Sequence, residues 1–433
     1  MKTFILRLLR YAIIYIVFIG LFFGLLVFSA ALPKTRQLEK NMRRSAGILL
    51  RNGDWPNVAG VKMDYFVDSL ILNVGYTFDP DRPVHSSLDT CYSYKADEAT
   101  GYSGVTHLDA LLSQPRPEMK LYHYWRYWFG HSAVMKILHY FFHLKKLYAF
   151  LGIVTVFLLF LGCLQLLQKD GKLPAFALFA LVALCHIHAF FMSLQYYPVL
   201  WIGLLGLIVL NKKDELSFRG PVFFALGMLT AYFDLLTAPV LAFGIPALFI
   251  CGRDVRREKS AGNPGWKTWL RIWCGYPAAW LAGYVLSWGT KILLGGLIGC
   301  NIYEIVQQVR FRTGNVFQDR QITWLDALQR NFNTILYDST IMSIAVLVVF
   351  LVLLIVQLIA LKRGKMVFSG RILLGYLLLA VMPVAVILLM PNHTYQHAYM
   401  TYRGLAMTFT ALLMALTAFH VPDETGTDQD KSS

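Results

Sequence analysis

The chain has 433 residues, 57% of them hydrophobic and 15% charged, with a mean hydropathy of +0.51 and a formal net charge of +15. A water-soluble domain carries nearer a quarter charged residues, so this composition excludes an ordinary soluble globule and makes lipid part of the solvent. The basic residues are dispersed over short connections and not gathered on one stripe, which excludes nucleic acid as the expected partner.

Several apolar runs approach the roughly 20 residues that cross a bilayer as helix. No ten-residue alternation supports a barrel, so the expected spans are helices. Lys2, Arg7 and Arg10 precede the first run, near Tyr11–Ala31, and place the N-terminus inside. That run exceeds the roughly 7–15 apolar residues of a signal peptide core, so an uncleaved anchor is expected. Residues 33–147 then form a first extracytoplasmic loop, basic at its start but long enough to cross regardless of charge.

Within this loop, "VKMDYFVDSLILN" (61–73) begins an apolar stripe at helical spacing: Met63, Val67, Leu70, Ile71 and Val74. Asp64 and Asp68 lie one turn apart on a face at its edge. They are either a solvated charged face or paired carboxylates held near the lipid–water boundary. "LYHYWRYWFGHSAVMKILHYFFHLKK" (121–146) reads as an interfacial helix, with Tyr and Trp at headgroup level and Lys at its end.

Nine further spans are expected near Tyr148–Leu167, Pro174–Phe191, Pro198–Leu210, Gly220–Asp234, Pro239–Cys251, Trp269–Trp288, Thr340–Leu361, Ile372–Met390 and Gly404–His420. The short basic connections "QKDGK", "NKKDELSFR", "GRDVRREK" and "LKRGK" then all stay cytoplasmic. Residues 289–338 make a second large extracytoplasmic loop, and 421–433 a disordered cytoplasmic tail. The expectation is an all-α, multi-pass bundle of about ten spans over residues 1–420, a single domain in the cell membrane.

The outer face collects polar groups. Asp234 ends an apolar run in "TAYFDLLTAP", where a charge near membrane depth is a functional candidate by default. His393, His397 and Arg403 share "HTYQHAYMTYR", and Lys291 and Arg312 lie in or beside the second loop. For the basic groups the alternative is snorkelling to the lipid headgroups, and for the histidines and tyrosines an interfacial belt. Cys91 and Cys300 both lie outside, where a disulfide is permitted. In "CHIH" (185–188) both histidines sit in an apolar run and read as helix packing. There is no phosphate-binding loop, dinucleotide fingerprint or nucleophile elbow.

This layout resembles the GT-C superfamily of polytopic membrane glycosyltransferases over most of the chain. The resemblance rests on the inside N-terminus, the large first outer loop with its acidic residues and interfacial helix, and the polar outer face. It implies transfer of a sugar from a polyprenyl-phosphate donor to a cell-envelope glycan, lipid or protein acceptor. It also implies a first-loop carboxylate as base, here Asp64 or Asp68. About thirty residues separate these from the first span, a longer interval than is usual in that family.

A carboxylate in reach of the acceptor hydroxyl takes its proton as the new bond forms, and cations meet the departing lipid phosphate. Arg403 is the first candidate for the phosphate, followed by Arg312 and Lys291, with His393 or His397 binding phosphate or orienting a carboxylate. Two carboxylates can also hold Mg²⁺ or Mn²⁺, which leaves metal use open. A polysaccharide polymerase or ligase remains an alternative, given the arginines of "VRFRTGNVFQDRQ", as does a lipid or glycan transporter of the flippase type.

Overall fold

The apolar runs do become helices. The computed structural model describes residues 2–95, 103–113, 118–260, 265–337, 339–364 and 366–420, so the expected tail at 421–433 lies outside the described residues. Five helices are long and apolar enough to cross a membrane: Leu8–Ala31, Leu144–Asp170, Leu216–Phe233, Ile344–Lys362 and Gly370–Leu389. Lys172–Leu184 and Tyr197–Lys212 are shorter apolar helices. The ten expected segments fall largely on helix, the last giving way to a 3-10 turn and a strand from Leu416, but half of them miss that length and apolarity. The run expected at 174–191 is cut where His186 adopts a left-handed backbone (φ 58°), leaving Lys172–Leu184 and Ile187–Phe191. The run expected at 269–288 divides into Trp266–Trp273 and Gly275–Leu297. The second of these continues far enough to take Lys291 out of the loop and into a helix.

The Leu216–Phe233 and Gly275–Leu297 helices pack with their backbones nearly touching. A Cβ added at Gly227 would lie 1.9 Å from the Trp280 carbonyl oxygen, and one at Gly283 would lie 2.0 Å from that of Phe224. Lipid tails supply no hydrophobic force between helices, so close packing through small residues is how such a pair gains contact. At the end that carries the basic connections, Arg219 is fully buried and pairs with both oxygens of Asp254, at 3.0 and 3.1 Å. Tyr276 donates to the same carboxylate at 2.8 Å, and Arg253 pairs with Asp170. Part of the positive charge is therefore spent internally.

The described residues of the segment 33–147 form a folded layer of short elements. Thr35 caps a helix over Arg36–Asn52, and further helices span Tyr65–Thr77, Pro83–Leu88, Gly104–Leu112 and Gly130–His139. Strands Cys91–Tyr94 and Lys120–His123 pair antiparallel, with Cys91 opposite His123. The single interfacial helix expected over 121–146 is thus corrected to a strand, an aromatic turn and a ten-residue helix. The aromatic residues go inward. Trp125, Tyr127, Trp128 and Phe129 are buried, and Trp128 donates its indole N–H to the Ser287 carbonyl at 2.9 Å. Phe22 of the first helix stacks on Tyr232 at 4.0 Å in the same cluster. These rings join the 33–147 layer to the long helices packed against it, with their faces buried in protein.

Candidate functional site

Asp64 and Asp68 do not share a helical face. Asp64 is the residue before the Tyr65–Thr77 helix and caps it, accepting the Val67 N–H on Oδ1 at 3.0 Å. Capping leaves Oδ2 to face elsewhere, and it accepts the Tyr399 hydroxyl at 3.2 Å. Asp68, inside the first turn, turns to other partners. It accepts from Tyr148 (2.7 Å), the Ser193 hydroxyl (3.1 Å) and the Leu194 N–H (2.9 Å). Both side chains are fully buried, which corrects the solvated-face reading.

Burial is the main cause that raises each carboxyl to about 7, opposed at Asp64 by the Val67 and Tyr399 donors and at Asp68 by Tyr148, Leu194 and Ser193. Asp68 is saturated by donors that bind three elements together. Asp64 stands one residue behind a cavity wall.

That wall belongs to a cavity of about 610 Å³, lined by Trp55, Phe66, Tyr92, Tyr94, Tyr122, Tyr124, Arg126, His397 and Tyr399 among others. Tyr399 separates it from Asp64, and Lys62 lies 4.5 Å from the Trp55 ring and 4.8 Å from the Tyr399 ring. A second cavity, of about 190 Å³, is almost wholly apolar. Leu236, Tyr284, Trp288, Ile305, Val309 and Met390 line it, with Arg126 and Arg312 as its cations. Arg126 therefore belongs to both cavities. Its guanidinium lies 3.8 Å from the Tyr124 ring centroid, and both arginines approach Tyr127 at 5.7 Å. Arg126 Nε and Arg312 Nη1 are buried without an acceptor. Among the described residues neither arginine has a carboxylate within ion-pair distance. Unmatched buried donors of this kind suit an anionic ligand.

Of the remaining candidates, His397 lines one of these spaces, and His393 and Asp234 stand behind their walls. His397 lines the aromatic cavity, with Nδ1 3.3 Å from the Tyr399 hydroxyl, and its ring is 4.9 Å from that of His393. His393 bonds through Nε2 to the Leu236 carbonyl at 3.0 Å. Burial first, and then the Arg312 cation, hold both imidazoles below the usual histidine range, His397 at about 4. Both are neutral at pH 7. Asp234 accepts the Thr237 N–H (3.1 Å) and hydroxyl, which fixes the turn that holds Leu236 at φ 65° and presents it to the apolar cavity. Its other oxygen is buried without a partner.

Arg403 and Lys291 lie away from both cavities. Arg403 is 1% exposed and 3.9 Å from the Tyr196 ring centroid, and it donates to the carbonyls of Cys185, Tyr399 and Met400 at 3.2–3.4 Å. The headgroup position expected for it is corrected to an internal one, where it ties helix ends together. Lys291 is buried and bonds the Leu88 carbonyl. Asp54, another acidic residue of the first loop, accepts the Val105 N–H at 3.0 Å and serves the loop fold. Cys91 and Cys300 carry free thiols in this structure.

Sequence reasoning missed Tyr399, Arg126 and Lys62. Two had a visible signal: Tyr399 lies between His397 and Arg403, and Arg126 is an arginine flanked by aromatic residues on both sides. No known protein family matches the sequence, and no match is found among curated proteins or solved structures.

Proposed function

We propose that the protein is an integral membrane glycosyltransferase that takes a sugar from a polyprenyl-phosphate donor on the extracytoplasmic face. The observation that carries this reading is the sharing of Arg126 between an apolar cavity and an aromatic one. A lipid-linked sugar has the same order of parts: apolar chain, anionic phosphate, then polyhydroxylated ring. The chain lies along Trp288, Ile305 and Val309, and the phosphate meets Arg126 and Arg312. The sugar enters among Tyr92, Tyr122 and Tyr124, whose rings present flat apolar faces with polar tips.

The acceptor hydroxyl attacks the anomeric carbon, and the bond from that carbon to the phosphate oxygen breaks with its electron pair leaving on the phosphate. The hydroxyl proton passes to the Tyr399 oxygen while Tyr399 gives its own proton to Asp64. A carboxyl raised to about 7 is well matched to that task, because a base works best with a pKa near the operating pH. Arg126 and Arg312 oppose the charge that grows on the leaving phosphate. This reading moves the phosphate site from Arg403 to Arg312 and Arg126.

The test uses full-length protein reconstituted in liposomes, radiolabelled polyprenyl-phosphate sugars and a cell-envelope acceptor fraction. Asp64→Asn and Tyr399→Phe should each lower transfer by about 10²–10⁴-fold, the usual contribution of acid–base catalysis. Wild-type activity should rise with pH through about 7 as Asp64 ionises. Variants that turn over like wild type, or wild-type protein that neither binds nor consumes any such donor, would overturn the reading.

A further inference from the structure

We propose that Asp89, Cys91, His123 and Cys300 form a soft divalent-cation site of the zinc type, which fastens the strand pair of Cys91–Tyr94 and Lys120–His123 to the end of the Gly275–Leu297 helix. The register of this strand pair sets two of the donors opposite each other, since Cys91 and His123 are direct cross-strand partners. Cys91 Sγ lies 3.3 Å from His123 Nδ1. Asp89, two residues earlier, brings both carboxylate oxygens within 2.9 Å of the same nitrogen. One ligand atom from each of these three residues lies within 4.8 Å of the others.

The fourth donor comes from a different part of the chain. Cys300 Sγ, just beyond the Gly275–Leu297 helix, is 3.8 Å from Asp89 Oδ1. Zinc bonds of roughly 2.0–2.3 Å in tetrahedral geometry place neighbouring donor atoms roughly 3.3–3.8 Å apart. The separations among Asp89, Cys91 and His123, at 2.9 and 3.3 Å, lie at or just below that spacing, and Cys300 approaches from the Asp89 side at 3.8 Å, so an ion would draw the fourth donor in.

Donor chemistry selects the metal class. Two thiols, an imidazole and a carboxylate suit zinc and disfavour magnesium or calcium, which take oxygen ligands. The charges also balance. Lys291 is buried beside the cluster on the Leu88 carbonyl, and it is electrostatically coupled to Asp89, Cys91 and Cys300. One Zn²⁺ offsets two of the three negative charges of the thiolates and the Asp89 carboxylate, and the Lys291 amine, when protonated, offsets the third. An entry route exists because the His123 side chain is 58% exposed. The site does not rest on the transferase reading, since metal content is read without any donor, while the same strand pair carries Tyr92, Tyr122 and Tyr124 of the aromatic cavity.

The experiment uses the full chain purified in detergent without chelator or reductant. Metal content is measured by mass spectrometry, and cobalt substitution is followed by absorbance. Wild type should carry one zinc per chain, and its cobalt form should show the thiolate charge-transfer band and visible bands of a tetrahedral site. Cys300→Ser should weaken the charge-transfer band, and His123→Ala should lose the ion while the protein stays monodisperse, because that ring is mostly exposed. Peptide mapping on the same sample decides the alternative for the two thiols. A Cys91–Cys300 disulfide, zinc retained unchanged in His123→Ala, or a metal-free wild type with free thiols would each overturn the proposal.

Discussion

Asp68→Asn separates the two buried carboxyls by stability. Asn keeps an oxygen for Ser193 and Leu194, both of which donate to Oδ1, while its amide N–H can donate to the Tyr148 hydroxyl where Oδ2 accepted. Hydrogen bonding is thus preserved, and the difference between the proteins is one titratable group. In wild type that group is held at about 7, mainly by burial, against about 3.9 in an unfolded chain. Between those values the unfolded chain gives up its proton and the folded chain keeps it, so stability falls as pH rises. The stabilisation is fully present below about pH 4 and lost above about pH 7, on the order of 4 kcal/mol in total. Asp64 titrates in both proteins, so its share largely cancels in the comparison. The assay is the thermal unfolding midpoint of detergent-purified wild type and Asp68→Asn at about pH 5 and about pH 8. Wild type should lose ground to the variant at the higher pH, by a few degrees or more, and the variant should keep its transferase activity. A gap that does not change with pH would show that Asp68 carries no raised pKa, and the account of its burial would fail.

Removing either arginine of the pair should weaken binding of a polyprenyl phosphate by roughly 10–100-fold, as expected for a charge-assisted contact worth about 1.5–3 kcal/mol. The Arg126→Ala, Arg312→Ala double variant should lose less than the product of the single effects, measured by donor titration in liposomes, because both guanidinium groups face one phosphate. Arg403→Met should leave that affinity unchanged. In the packed helix pair, Gly227→Ala sets a methyl group 1.9 Å from the Trp280 carbonyl, so the helices must part. The expected cost is about 1–3 kcal/mol and a lowered thermal midpoint, with Gly289→Ala, whose added Cβ meets nothing within 4 Å, as the silent control.

The helices were legible because lipid-facing segments must be apolar over a length that bilayer thickness dictates, and both features are local. The outer layer was not. Residues 121–146 have the aromatic and basic content of an interfacial helix, yet Lys120–His123 pairs with a strand from residues 91–94, and composition does not carry that pairing. The aspartate pair was found but misread for a related reason. Spacing of i and i+4 implies one face only when both residues are helical, and Asp64 is a cap, so its second oxygen turns toward Tyr399 from the far end of the chain. Arg312 was visible as a loop cation. Arg126 was hidden among aromatic residues, and the meeting of two cavities at its guanidinium sets it apart from the other candidate cations.

The Thr340–Lys362 helix differs from the rest of the bundle in what it demands of its own sequence. Among the described residues none in its apolar window is fully buried, and it packs against the 3-10 turn at Leu416–Ala418. With so little of its described surface buried, most of its side chains are specified chiefly by their dislike of water and the number needed to cross. Its informational load is therefore close to a length and a sign, carried by interchangeable Val, Leu and Ile. Substitutions there should accumulate almost freely, while at Gly227 and Gly283 a single methyl group is already too many.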